Sequence, residues 1–220
     1  MSREQTGPGA ALGGAFVVFE GGDGVGKSTQ VALLARHLEA AGREVVTTFE
    51  PGGTRLGSVL RAELLHGDDV GSRTEALLYA ADKAEHLYQV VLPALARGAV
   101  VVCDRYVDSM VAYQGAGRVL DGDEVERVAR LATGDLRPDL TVLLDLDPEA
   151  GLGTLTDPDR LESAGLDFHA RARASFLALA ARDPGRYLVL PARRSREELA
   201  HEVAARVDRF LSEQPATVSS

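Results

Sequence analysis

Phe16-Val17-Val18-Phe19-Glu20-Gly21-Gly22-Asp23-Gly24-Val25-Gly26-Lys27-Ser28-Thr29-Gln30 decides the fold. An apolar run with a buried strand's character, Phe16 to Glu20, breaks into glycines and then into a helical stretch, Ser28 to Ala41. Strand, glycine loop, lysine, hydroxyl and helix in that order form a Walker A loop, a phosphate cradle. Glycines let successive backbone N–H groups converge on phosphate oxygens, and the helix N-terminus adds positive potential. Gly21, Gly22, Asp23, Gly24, Val25, Gly26, Lys27, Ser28 and Thr29 are therefore expected to hold the triphosphate of a nucleotide. Lys27 would meet its β and γ oxygens, and Ser28 would ligate Mg²⁺. Asp23 is out of place in a cradle for anions unless it serves the metal or an acceptor, which makes it a candidate functional carboxylate.

Outward from this loop, short β-branched runs alternate with long helical ones. The further strands are expected at Glu44 to Phe49, Ala99 to Cys103, Leu140 to Asp145 and Tyr187 to Leu190. Near-continuous apolar strands separated by crossover-length helices predict a parallel sheet covered on both faces, a three-layer α/β/α sandwich with the P-loop NTPase fold. One helix is expected over Thr74 to Arg97, capped by Ser72, kinked by Pro93 and stopped by Gly98. Residues 1–14 and 213–220 are expected to be loose tails around one domain, 15–212.

Composition narrows the function classes. A net charge of −9 over 220 residues argues against a broad nucleic-acid or anionic-membrane surface, while local arginines can still bind a small anion. The arginines of His169 to Arg182 share their helix with a core face of Phe168, Phe176, Leu177 and Leu179, which suits a solvated charge pattern better than an RNA site. A lone cysteine, Cys103, excludes an intrachain disulfide framework and fits a reducing compartment. No apolar run approaches the ~18 residues of a membrane helix, so a cytoplasmic location is expected. The five histidines lack the spacing of a metal cluster, and capping or surface roles are expected for His86 and His169.

A second constellation ends the third strand. Asp104-Arg105-Tyr106 falls at its carboxyl edge, where open α/β sheets place ligands. Asp104 can organise Mg²⁺ through water, and Arg105 can clamp a phosphate bidentately. An ordinary strand-end ion pair is the alternative reading of the same dipeptide.

The chain resembles the thymidylate kinases. The likeness is carried by Phe19 to Gln30, Glu50-Pro51-Gly52-Gly53-Thr54, Leu77-Leu78-Tyr79-Ala80-Ala81-Asp82, Asp104-Arg105-Tyr106, Ala112-Tyr113-Gln114-Gly115 and Asp159-Arg160-Leu161-Glu162. It implies a five-stranded parallel sheet, a phosphotransferase moving the γ-phosphoryl of ATP to dTMP, Mg²⁺ and a homodimer. On that likeness Arg105 would hold the acceptor phosphate, and Asp23 would position acceptor and metal. Tyr79 would stack on the pyrimidine, Tyr113 would exclude a 2′-hydroxyl, Gln114 would lie near base and sugar, and Glu50 and Pro51 would line the pocket. Glu162 would join Ser28, Asp23 and Asp104 at the metal. Without the likeness, Tyr79 reads as a core aromatic.

Four departures fall around the acceptor and the transferring group. Lys83 stands where the family has a base-binding arginine, Met110 where it has a small polar residue, and Phe49 where it has a basic one. The loop position beside Asp23 is Gly24, and 151–158 of the expected lid (151–160) contains neither Arg nor Lys, so Arg160 is the remaining candidate for transition-state charge. These departures admit two alternatives: a kinase for a modified pyrimidine deoxynucleotide, or a catalytically weak nucleotide binder.

Overall fold

The computed structural model describes residues 12–117, 120–152 and 160–213, with the side chains of 117, 151, 152 and 162 outside that description. The expected tails lie largely outside it, as does 153–159 of the expected lid. The expected N-terminal tail ends sooner than Gly14. That residue is buried, and a Cβ there would meet Ala99 O at 2.5 Å.

Strands β1 (Ala15–Gly21), β2 (Val45–Phe49), β3 (Val100–Asp104), β4 (Leu140–Asp145) and β5 (Tyr187–Pro191) form one parallel sheet in the order β2-β3-β1-β4-β5. The P-loop strand is thus central, with β3 on one side and β4 on the other. All five carboxyl ends point to one edge, where Phe49 and Asp104 lie level with Phe19 and Leu144 lies level with Gly21. Every residue of β1 is buried, as a strand covered on both faces requires. One core cluster packs β1 and β4 against α1 (Lys27–Ala40) and α9 (Arg196–Glu213). Another packs α3 (Ser72–His86), α6 (Gly122–Thr133) and α8 (Leu166–Arg182). The remaining helices are α2 (Arg55–His66), α4 (Leu92–Ala96), α5 (Val107–Met110) and α7 (Pro148–Leu152).

The helix expected over Thr74 to Arg97 is interrupted. Gly71, not Ser72, occupies its N-cap, and no side chain caps it. Leu87–Val91 is a π-helical turn, and Pro93 sits in the first turn of α4. Proline lacks an N–H and crowds the carbonyl four residues back, so a wide turn before it replaces the simple kink. Gly98 ends the run at φ 83°, as expected.

Candidate functional site

The cradle is built as the sequence requires. Gly21 has φ 134°, and a Cβ there would lie 2.3 Å from Leu144 O on the neighbouring strand, so only glycine fits. Gly24 and Gly26 also have positive φ, turning the loop into α1. Lys27 Nζ donates to Gly22 O at 2.6 Å and Gly21 O at 3.2 Å. Burial, with Arg105 nearby, lowers its ammonium to about 8 despite Asp23, Asp104 and Glu20. Ser28 Oγ donates to Asp104 Oδ2 at 2.7 Å, joining the first turn of α1 to the end of β3. A groove of about 660 Å³ runs over Gly24, Gly26, Lys27, Ser28, Thr29, Asp104 and Arg105.

A cavity of about 120 Å³ opens beside it, sharing Asp23, Glu50, Arg61 and Arg105 with the groove. Pro51, Tyr79, Lys83, Met110, Tyr113, Gln114 and Leu161 complete most of its wall. Every residue assigned to acceptor binding in the sequence thus lines one space. Tyr113 and Gln114 come from a second π-helical stretch, Val111–Gly117, whose extra residue per turn re-aims side chains. The Tyr113 ring packs on Phe168 and Phe176, at centroid distances of 5.8 and 5.9 Å.

Arg105 stands between the two spaces. Its Nη2 pairs with Asp23, while Nη1 donates to Gly21 O and Ser109 Oγ at 3.1 Å each and to Tyr113 Oη at 3.4 Å. Tyr113 Oη also donates to Asp23 Oδ2 at 3.3 Å. Burial pushes the Asp23 carboxyl up, but Arg105, Lys27 and His169 outweigh it, so Asp23 lies below its ordinary range and is ionised at neutral pH.

Several side chains are engaged otherwise than the sequence suggests. Glu50, expected to line the pocket, has both oxygens occupied: Lys83 Nζ lies 2.5 Å from Oε2 and His86 Nδ1 2.7 Å from Oε1. Lys83 also donates to Tyr106 O at 2.8 Å. His86, expected to cap or face solvent, is fully buried and its Nε2 lies 2.6 Å from Thr48 Oγ1. The i,i+3 spacing of Lys83 and His86 was the available signal, since it puts both on one helix face. Burial pushes the Glu50 carboxyl up, but Lys83 and His86 hold it below the usual range.

Arg160, the candidate for transition-state charge, turns toward α2 and α3. Its Nε and Nη2 donate to Leu64 O at 3.0 and 2.8 Å, and Nη2 lies 2.8 Å from Glu75 Oε2. Glu75 Oε1 in turn accepts from Gln114 Nε2 at 3.0 Å. Arg160 therefore braces the acceptor side through Leu64 and Glu75. A cation that the sequence reading overlooked is Arg61, which lines both spaces, donates to Pro51 O at 2.8 Å and lies 5.7 Å over the Phe49 ring. Phe49 thus removes one basic residue and supports another.

The donor chemistry suits Mg²⁺. Ser28 and Asp104 offer hard oxygens beside Lys27, and a Mg²⁺ bound with a triphosphate takes most of its shell from phosphate and water. Asp23 is committed to Arg105, and the Glu162 side chain lies outside the described residues. Among the described residues no three His, Cys, Asp or Glu side chains form a self-sufficient metal cage.

A P-loop at the central strand, with an arginine-gated second cavity at the same sheet edge, defines a nucleoside monophosphate kinase of the P-loop class. The family model described as thymidylate kinase matches residues 19–203. The thymidylate kinase of Cutibacterium acnes is 54% identical over 203 residues, covering 91% of this chain and 100% of that protein. The thymidylate kinase of Leifsonia xyli subsp. xyli is 57% identical over 200 residues, 89% of this chain and 95% of the relative. That of Clavibacter michiganensis subsp. michiganensis is 54% identical over 204 residues, 90% and 97%. The chain belongs to the thymidylate kinase family.

Proposed function

We propose that this chain transfers the γ-phosphoryl group of MgATP to the 5′-phosphate of dTMP, giving dTDP and ADP. The observation that carries the assignment is Arg105, whose guanidinium lines both the phosphate groove and the acceptor cavity. One phosphate oxygen of dTMP attacks the γ-phosphorus in line, and the bond to the β-bridging oxygen breaks as ADP leaves. Such a transition state is loose, so positioning and charge supply the catalysis.

The residues divide the task. Lys27 and the loop N–H groups hold the donor phosphates, and Ser28 with Asp104 would hold Mg²⁺, which neutralises charge on the donor oxygens when bound. Arg105 and Arg61 receive the acceptor phosphate. Asp23, kept ionised, orients Arg105 and Tyr113 and is too weak a base to abstract a proton. Tyr79 stacks on the pyrimidine, Pro51 and Met110 shape its surroundings, and Tyr113 and Gln114 face sugar and base. Because Lys83 is tied to Glu50 and Tyr106 O, its replacement of arginine gives little reason to infer a modified base. With Gly24 in the loop, Lys27, Arg105 and Arg61 carry the transition-state charge.

The enzyme works as a cytoplasmic homodimer. No described helix is long and apolar enough to cross a membrane. Exposed Leu77 on α3 and Leu131 on α6 line one largely apolar hollow that offers a second copy a face.

An acceptor panel tests the assignment: dTMP, dUMP, 5-substituted dUMP analogues, dCMP and dGMP, each with MgATP. The specificity constant is expected to be highest for dTMP. A lower value for dTMP than for another member would overturn it, and failure of every member to yield ADP above background would favour the weak-binder reading.

A further inference from the structure

Arg105 has φ 70°, a left-handed backbone that a non-glycine residue keeps only when its surroundings enforce it. One enforcing contact is Arg105 N donating to Phe19 O at 2.8 Å. The others converge on the next residue of β1. Glu20 is fully buried and accepts from Tyr106 N at 2.9 Å and Ser109 N at 3.1 Å through Oε1. Its Oε2 accepts from Ser109 Oγ at 2.6 Å. All three bonds come from the turn that follows Arg105.

Ser109 works as an adapter. Because its hydroxyl hydrogen goes to Glu20, its lone pairs are left for Arg105 Nη1 at 3.1 Å. The adjoining carbonyl, Gly21 O, accepts from both Arg105 Nη1 at 3.1 Å and Lys27 Nζ at 3.2 Å. The strand carrying Glu20 therefore references the acceptor arginine to the donor cradle.

We propose that Glu20 is a positioning residue for phosphoryl transfer: acting through Ser109 and the Tyr106 N–H, it aims Arg105 at the acceptor phosphate. This rests on the reading that Arg105 receives that phosphate. Glu20→Gln keeps the size and one carbonyl acceptor but replaces Oε2 with an amide donor. Ser109 Oγ then accepts from the amide, its own hydrogen loses its partner, and Arg105 loses its aim.

Steady-state kinetics above the titration of Glu20, at about pH 8, with both substrates varied test this, using Glu20→Gln, Ser109→Ala, their double variant, Ser109→Thr and Arg105→Ala. Glu20→Gln is expected to raise KM for dTMP about tenfold, the worth of one hydrogen bond to a charged group, with KM for MgATP within about twofold. Ser109→Ala should do the same. The double variant should be no worse than the poorer single, because both act along one path. Ser109→Thr, which keeps the hydroxyl, should restore KM to near the parent value. Equal changes in the two KM values, or additive singles, would overturn the proposal. If Glu20→Gln does not fold, Ser109→Ala and Ser109→Thr decide by the same criterion. Should Arg105→Ala leave KM for dTMP unchanged, the role of Arg105 itself fails; should Arg105→Ala raise it and Glu20→Gln not, only the positioning role fails.

Discussion

Arg160 Nη2 lies 2.8 Å from Glu75 Oε2, and the carboxylate at the other end of that contact is almost wholly buried. The pair ties the end of the expected lid to α3, and through Gln114 to the acceptor cavity. Removing one partner of a buried ion pair leaves an uncompensated charge and costs about 3 kcal/mol or more. Arg160→Ala should therefore lower Tm by roughly 6–12 °C, on the scale of a chain this size. As a brace of Gln114 it should also raise KM for dTMP more than it lowers kcat. Thermal melts and steady-state kinetics check both; a fall in kcat of about 10³ with unchanged Tm would instead identify a mobile charge-stabilising arginine.

The contact between Ser28 and Asp104 predicts a metal phenotype. Asp104 orients the hydroxyl that would face Mg²⁺, and loss of an orienting partner of this kind costs about 10–100-fold in metal affinity. Asp104→Asn should raise the Mg²⁺ concentration for half-maximal velocity by at least about tenfold. Titrating Mg²⁺ at saturating dTMP and fixed ATP measures it. Ser28→Thr retains the oxygen and should shift the midpoint far less.

Strands and cradle were legible because each depends on local pattern. The apolar runs mark β1 and β4 to within a residue, and the glycines around Asp23 permit one backbone course. The place of Arg105 was legible from the end of β3, and that of Tyr79, Tyr113 and Gln114 along one cavity came through motifs that the family likeness supplied. Pairings across the fold were not legible. Nothing in the spacing of Glu50, Lys83 and His86 shows that a lysine 33 residues away occupies Glu50 Oε2, because β2 and α3 meet only through the tertiary fold. Arg61 was missed for the same reason: its helix turns it back over Phe49 and Pro51. The π-helical stretches escape any reading by a 3.6-residue period.

Glu20 makes stability depend on pH. Burial, aided by Asp108, pushes its carboxyl up to about 7, against the pull of Ser109, Arg105 and Tyr106. A raised carboxyl means that the folded chain holds a proton that the unfolded chain has released. This contribution is fully present below about pH 4.5 and is lost as pH rises through about 7. Glu20→Gln removes the titration. Across that window the variant's Tm should fall less with rising pH than the parent's, as calorimetry at several pH values would show. Parallel curves would contradict it.

Lys83 and Glu50 give the last prediction, in which stability and specificity separate. Their side chains are 3% and 1% exposed, so each is the other's main compensation for lost solvent. Lys83→Ala abandons the carboxylate and should cost about 3 kcal/mol or more. Lys83→Met with Glu50→Gln removes both charges, leaves His86 with an amide oxygen to bond, and should recover most of that loss. Lys83→Arg tests the other role of the position. A guanidinium is planar and needs more donors satisfied than Nζ, so it can keep Glu50 while turning an N–H into the cavity beside Met110. If the lysine serves chiefly as the partner of Glu50, Lys83→Arg should leave the order of the acceptor panel intact and sharpen preference for dTMP by less than about tenfold. Melting curves on the first two variants and the acceptor panel on the third separate the roles, and a reversed acceptor order in Lys83→Arg would show that Lys83 reads the base directly.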